Sequence, residues 1–518
     1  TDFGRQWTRL IHTEKVMSVN RKQLSQKGAQ TMTLKQPNIL LIMADQMTPF
    51  MLDACGGIGA KTKNLSALAK RSANFTNSYT PSPICVPARS CFMTGLYTSS
   101  TGCYDNGDPY HSFIPTFAHY LTNAGYETVL AGKMHFIGAD QLHGFQRRLN
   151  TDVYPSGFVW SYPLPPENDP NFKAFDFTPQ YLAENIGPGW SKELQYDEET
   201  HFKSMEYLRS AADGPWMLTV SFTNPHPPYK VPKKYWEMYK DADIPLPEYP
   251  DNMDEKYSDY DHAIRRWHGL HVRGDEIRDP KNLIAMRRGF AALAHYVDDK
   301  IGELLEVLED SGLRDDTVVI FTSDHGEMLG EKGMIQKRSL YEWSARIPLF
   351  IDIPGVAPRT IDTPVSLIDL PVTLIDIAGQ EPVAPLEGRS LLPAIHGEEL
   401  EVIPVISEYH GEGIMRPSFM VRLGDWKYHY CHGSNPQLFN LIDDPNEWDN
   451  RAGETDLQEI ETAMNQVITA GYFDLEKIKS EVWDRLPQKQ IVNDAMKVNR
   501  TAWDYAIDQS AAAQYIRE

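Results

Sequence analysis

Four short runs of apolar residues, each closing in polar ones, punctuate the first two thirds of the chain. They read NILLIMADQ (Asn38–Gln46), ETVLAGKMH (Glu127–His135), WMLTVSFTNPHPP (Trp216–Pro228) and TVVIFTSDHGE (Thr317–Glu327). Runs this short and this continuous predict strands buried on both faces of a parallel sheet. Between them the pattern turns helical. The clearest stretch is Arg287–Leu313, where Phe290, Leu293, Ala294, Val297, Ile301, Leu304, Leu305 and Leu308 share one face and Gly312 is placed to end the helix. Alternating strands and helices predict an α/β sandwich around a mostly parallel sheet. Ligands of such sheets gather beyond the carboxyl ends of the strands, where all four runs place their polar residues.

The region Trp160–Pro250, rich in Pro, Tyr and Trp, predicts long loops with one helix near Asp197–Arg209. IPLFIDIPG and SLIDLPVTLIDIAG predict a return strand and a helix that close the large domain. After about His396 the texture changes. VIPVISEYH, SFMVRLGDWKYHYCH and PQLFNLIDD alternate like antiparallel strands, and a helix is expected near Asp456–Thr469. The boundaries expected are a leader over residues 1–36, a catalytic domain over 37–395, a small α+β domain over 396–470 and a C-terminal extension over 471–518. The extension carries Trp483, Trp503, Tyr505 and Tyr515, which predicts docking on the body or on a neighbouring subunit. The leader is polar, lacks the apolar stretch of a signal peptide, and reads as a poorly anchored segment, a packing arm or a start-site artefact.

Charge narrows the partners. Fifty basic residues against 71 acidic ones leave a net charge of -21, which disfavours nucleic acid and anionic membrane. An anionic substrate would then need local positive charge supplied by the site itself. Five cysteines in 518 residues, with no paired spacing, predict neither a disulfide framework nor a zinc site, and fit a reducing compartment such as the cytoplasm. No apolar run approaches the ~18–20 residues of a membrane span.

One cysteine is framed unusually. In SPICVPARSCFMTG (Ser82–Gly95), Pro83 is placed to open a helix, Cys85 falls in its first turn, and Arg89 stands on the same face four residues on. A helix N-terminus and a guanidinium fork together favour a sulfate- or phosphate-like anion. The same spacing also fits a buried structural cysteine beside a surface arginine.

CVPARSCFMTG resembles the type I sulfatase signature, a Cys-x-Pro-Ser/Ala-Arg core followed by Thr-Gly, and the resemblance extends from about Pro37 into the C-terminal domain. It implies an alkaline-phosphatase-like sandwich with a large mostly parallel sheet, a smaller C-terminal α+β domain with an antiparallel sheet, and a C-terminal arm. It also implies that Cys85 is oxidised to formylglycine by a formylglycine-generating or sulfatase-maturing enzyme. The hydrated aldehyde offers two hydroxyls, one to take the sulfuryl group and one to expel it, which splits a hard step into two easier ones. Asp45, Gln46, Asp324, His325 and the modified Cys85 are the implied metal ligands. The aspartates and the formylglycine oxygen are hard donors suited to Ca²⁺ or Mg²⁺, and a histidine ligand raises the case for Mn²⁺. Read alone, either aspartate could equally cap a helix. Lys133 and Lys337 are implied sulfate binders, and His226 or Lys337 the proton donor to the leaving group. His135 and Asn106 are further candidates at the sulfate; singly, such lysines are more often surface charges and such an asparagine a turn residue.

The Gln46–His325 pair resembles the choline sulfatase and phosphonate monoester hydrolase branch. GKMHFIGADQLHGFQRRLNTDVYP (Gly132–Pro155), PTFAHYL, SEYHGEG and the tail resemble choline sulfatases in particular. A trimethylammonium group needs aromatic faces and carboxylates. The matching candidates are Trp160, Glu408 or Glu412, and Trp503–Asp504 contributed by a neighbour in a dimer or tetramer; plain packing also fits the tryptophans. Two features depart from that branch. ENDPNFKAFDFTPQYLAENIGPGW lacks its Tyr-His-Asn stretch, and the tail reads AIDQSAAA where Pro and aromatics are usual. Both fall in the alcohol pocket, so aryl sulfates, other alkyl sulfates, phosphonates and phosphodiesters stay open as substrates. A sulfate-binding protein with an unoxidised Cys85 is the non-enzymatic alternative.

Overall fold

The computed structural model describes residues 36–164, 184–211 and 214–500. An eight-stranded sheet organises them, in the order Arg359–Ile361, Ala73–Phe75, Leu349–Asp352, Thr317–Ser323, Asn38–Asp45, Trp216–Pro225, Glu127–Gly132 and Arg147–Arg148. The four predicted strands lie side by side at its centre, all parallel. Leu349–Asp352 is the antiparallel return strand.

The uninterrupted apolar runs follow from what covers the sheet. Along Asn38–Asp45, Leu40, Ile42 and Ala44 pack into one cluster with Phe290, Leu293, Val297, Ile301, Leu304 and Leu308 of the long helix. Ile39, Leu41 and Met43 point to the other face and meet Phe117, Leu121, Leu370 and Leu374. Both sets of alternating positions are buried, so the period of two is hidden in the sequence.

The long helix runs Pro280–Asp310. It starts seven residues earlier than its apolar face suggests because Asp279 caps it, accepting from the Lys281 amide at 2.8 Å, and Pro280 supplies a preset first turn. Gly312 lies just past the end, at φ 68°. The helix expected near Asp197–Arg209 runs Lys192–Arg209, capped by Ser191. Two helices, Asp259–Trp267 and Leu270–Arg278, were not foreseen.

Towards the C-terminus, Val405–Tyr409, Ser418–Leu423, Trp426–Cys431 and Gln437–Asn440 form a four-stranded antiparallel sheet, with the helix Gln458–Thr469 packed on it. The extension contributes a helix, Leu475–Val498. It docks on the body of its own chain: Lys489 pairs with Asp105 at 2.7 Å and Asp108 at 2.8 Å, and Trp483 Nε1 donates to Met415 O at 3.2 Å. Trp503, Tyr505 and Tyr515, like the leader, lie outside the described residues.

A buried lysine pins the loop after the Thr317–Ser323 strand to this smaller sheet. Lys332 Nζ stands 3.6 Å from the Trp448 ring centre and 4.3 Å from that of Tyr341, and donates to Glu447 O at 2.6 Å. Burial pulls its pKa down, with Glu447 offsetting only part, to about 8. The folded value lies below that of an ordinary lysine. Between roughly pH 8 and 10.5 the unfolded chain therefore binds more protons, and stability climbs with pH across that window. Lys332→Met should remove this climb, up to roughly 3 kcal/mol of it. Urea midpoints measured from pH 7 to 10.5 check this; parallel wild-type and variant curves would refute it.

Candidate active site

Register brings the site together. Ala44 pairs with Ser323, so Asp45 and Asp324 leave the sheet side by side. On the other flank Asp45 aligns with Pro225 across a bulge, which sets the loop carrying His226 beside it. Gly132 aligns with Ser221, and Lys133 is the next residue. A Cβ on Gly132 would overlap the Ser221 carbonyl oxygen, so only glycine permits that close strand end.

Cys85 opens the helix Cys85–Thr94, after extended Ile84 and before left-handed Gly95. Every residue of that helix is buried, and Cys85 is only 1% exposed. Its Sγ lies 3.3 Å from His325 Nε2, 3.9 Å from Lys133 Nζ and 4.0 Å from Asp45 Oδ1. Asp45, Cys85, Asp324 and His325 each offer a ligand atom within 4.8 Å of the others. Two fully buried carboxylates and an imidazole could hold a divalent cation; the fourth atom, the Cys85 sulfur, is a soft donor and would suit a hard cation only once an oxygen replaced it.

Arg89 reaches this centre differently from the anion clamp that its spacing suggested. Its Nε bonds Asp324 Oδ2 at 2.8 Å and its Nη2 bonds Asp45 Oδ2 at 3.2 Å. Nη1 donates to Lys133 O at 2.6 Å and Ser221 Oγ at 3.0 Å. The fork ties two buried acids together, because two carboxylates at 0% exposure need a cation more than solvent-borne sulfate does.

Lys133 Nζ pairs with Asp45. Lys337 Nζ donates to Gln46 Oε1 at 2.6 Å, and the Gln46 amide N–H donates to Asp324 Oδ1 at 3.0 Å. His226 Nδ1 lies 2.6 Å from Pro227 O. Burial alone would raise the Asp45 pKa, but Lys133, Arg89 and Lys337 hold it well below the usual carboxylate range. Burial and Asp45 raise the Cys85 thiol, yet Lys133, Lys337 and His325 outweigh them and lower it. Burial, then Lys337, hold His226 well below ordinary histidine, so its imidazole is neutral. Arg89, Lys133 and Lys337 gather positive charge at this point of an acidic protein, the first two already paired with the buried aspartates.

The backbone is strained where these groups meet. Gln46, His135, Gln336 and Arg338 all adopt left-handed φ, at 65°, 59°, 67° and 77°.

The remaining candidates divide. Asn106 caps rather than reaches outward: its Oδ1 accepts from the Val86 amide at 3.0 Å, beside Cys85. Trp160 stands 6.4 Å from the His135 ring and 6.2 Å from Tyr154, edge-on to both, so an aromatic group flanks the site. Glu412 faces Asn106, accepting its amide at 3.2 Å, and is paired with Arg338. Glu408 is not available to a ligand cation. Its carboxylate already takes Thr98 Oγ1 at 2.6 Å, Ser99 N and Oγ at 3.0 Å each, and His410 Nε2 at 2.8 Å. Trp503, Asp504 and most of the stretch lacking Tyr-His-Asn lie outside the described residues.

Several supporting residues escaped the sequence reading. Glu327 fixes Gln46, bonding its amide nitrogen, and also takes the Gln336 amide. Asp197 binds the Thr223 and Asn224 amides at 2.7 and 2.9 Å, just before the His226 loop. Arg338 and Asp152 were likewise unmarked. The only signal in reach was position: Glu327 and Asp152 sit within stretches already singled out for other residues.

The Sulfatase family profile matches residues 37–380, and one described as "N-sulphoglucosamine sulphohydrolase, C-terminal" matches 330–472. A choline-sulfatase of Rhizobium meliloti (strain 1021) is 39% identical over 505 residues, covering 94% of this chain and 96% of the relative. Arylsulfatase K of Homo sapiens is 27% identical over 447 residues, covering 81% and 79%. Among solved structures, the phosphonate monoester hydrolase of Agrobacterium radiobacter superposes with a TM-score of 0.68 at 26% identity, covering 83% of this chain and 94% of that one. The sandwich is thus alkaline-phosphatase-like, and the chain, a sulfuric ester hydrolase, belongs to the sulfatase family.

Proposed function

We propose that the protein hydrolyses a small alkyl sulfate, choline sulfate foremost, with a formylglycine made from Cys85 and a Ca²⁺ ion held by Asp45, Asp324 and His325 beside Gln46. One observation carries this reading: Cys85 meets the two buried aspartates, His325 and Lys133 at a shared centre. The 39% identity to a choline-sulfatase supports the alcohol, as do Trp160 and Tyr154 at the rim. When present, the hydrated aldehyde supplies two hydroxyls on one carbon and the cation supplies charge that neutralises sulfate oxygens.

The chain's own residues do the rest. Arg89 fixes the spacing of Asp45 and Asp324. Lys133, next to Cys85 and Asp45, is placed to hold a sulfate oxygen. Lys337 spends one donor on Gln46 and has others for the leaving oxygen. With Nδ1 turned to Pro227 O and a neutral ring, His226 has no proton on Nε2 to give, which favours Lys337 as the acid.

That assignment predicts a split. Lys337→Ala should cost about 10²–10³-fold more in kcat on an alkyl sulfate than on a nitrophenyl sulfate, whose leaving group needs no proton. His226→Ala should lose similarly on both. The reverse pattern, in steady-state assays of both substrates, would make His226 the acid.

A second reading rests on the Gln46–His325 pair and the likeness to a phosphonate monoester hydrolase. The test compares release from choline sulfate, nitrophenyl sulfate and a phenyl phosphonate monoester. The highest kcat/KM on choline sulfate supports the proposal, and preference for the phosphonate replaces it.

A further inference from the structure

His135 is 3% exposed, and neither ring nitrogen has a hydrogen-bond partner among the described residues. Two residues from Lys133, this buried imidazole has both nitrogens to offer a polar partner. Its backbone adopts φ 59°, which a histidine holds only when something fixes it.

A carboxylate behind the turn does so. Asp152 Oδ1 accepts from the amides of Met134 at 3.1 Å, His135 at 2.8 Å and its neighbour Val153 at 2.8 Å. Oδ2 accepts from the Phe136 amide at 2.8 Å and forms an ion pair with Arg148 Nη2 at 2.9 Å. Arg148 also grips Gly132 O and Asn150 O, each at 2.9 Å, so residues 132–136 are clasped by residues 148–152. Both Asp152 oxygens accept hydrogen bonds, and its side chain is fully buried. Among the described residues, neither Asp152 nor Arg148 bonds Cys85 or the metal-ligand set; Lys133, which their clasp holds, does.

We propose that Asp152 is a positioning residue for the reaction proposed above: its carboxylate shapes the left-handed turn that presents Lys133 and His135 to the sulfate oxygens. An asparagine has the same shape but must turn an NH₂ toward the Phe136 amide and the Arg148 guanidinium. The turn then opens, and a displacement of about 1 Å at such a site costs on the order of 10²-fold in rate.

The test uses the mature, metal-loaded enzyme. Asp152→Asn should lower kcat/KM for the sulfate ester about 100-fold and weaken binding of inorganic sulfate, read by calorimetry, about 10-fold. In a His135→Ala background the same change should cost about 10-fold rather than about 100-fold, because the His135 share of the effect is already gone while Lys133 remains to be displaced. A merely stabilising Asp152 would lower the urea midpoint yet leave sulfate affinity intact and the two effects additive. Additivity, or sulfate affinity and kcat/KM both within about 3-fold of wild type, overturns the proposal. Should Asp152→Asn fail to fold, Arg148→Lys, which keeps the charge and loses the fork, should show an intermediate loss with the same coupling to His135. A wild-type protein that binds sulfate but releases none from any ester would refute the reaction; the affinity arm would still decide Asp152.

Discussion

Cys85→Ala should abolish turnover, lowering kcat for sulfate release by on the order of 10⁴–10⁶-fold. The site has other charges to bind a sulfate ester, but among the groups gathered at the metal-ligand centre only the Cys85 side chain can be converted into the proposed nucleophile. Removing one sulfur from the first turn of a fully buried helix leaves the fold intact, so the loss would be chemical. Cys85→Ser sharpens the point. A single hydroxyl can accept a sulfuryl group but has no second hydroxyl to release it. Mass spectrometry should find that variant carrying one added SO₃ after exposure to substrate, with no turnover. Residual activity of Cys85→Ala above about 1% of wild type would end the covalent reading.

Asp324→Asn should empty the site of metal and cost at least about 10³-fold in kcat/KM. One Asp324 oxygen takes the amides of Gln46 at 3.0 Å and His325 at 2.9 Å, while the other takes Arg89 at 2.8 Å. An amide in its place lacks the charge that a hard cation requires, and leaves Arg89 with only Asp45 as counter-charge. Breaking a buried pair costs about 3–5 kcal/mol, so a lower unfolding midpoint should accompany the metal loss. Metal content by mass spectrometry of the purified protein is the decisive measurement. Full occupancy in Asp324→Asn would remove this residue from the ligand set. Asp324→Glu should not rescue it, because 0% exposure leaves no room for another methylene.

How much of this was written in the chain differs from residue to residue. Asp45, Lys133, His226 and Asp324 were legible because each follows a strand whose double burial shows as an unbroken apolar run, and parallel sheets collect ligands at those ends. Cys85 was legible from its motif. The role of Arg89 was not, since a guanidinium reads identically whether it will face a sulfate or two acids. Glu408 shows the same limit: only the fold brings Thr98, Ser99 and His410 to its oxygens. Asp152 and Glu327 act largely on backbone amides, which every residue has and no side-chain pattern marks. The helix Leu475–Val498 was missed because Pro487, inside it, reads in sequence as a helix breaker and polar pairs do much of its docking, so no apolar stripe announces it.

The interment of the Cys85 helix has a consequence for the enzyme's birth. A thiol 1% exposed, with neighbours packed on every side of its helix, offers no purchase to another protein's active cleft. On the proposed reading, oxidation of Cys85 would have to happen while the polypeptide is still extended, and collapse would end the opportunity. The share of active molecules in a cell is then set by a race between two clocks. On that reading slower synthesis, which leaves the thiol exposed for longer, would raise the share of chains carrying the aldehyde and with it the specific activity.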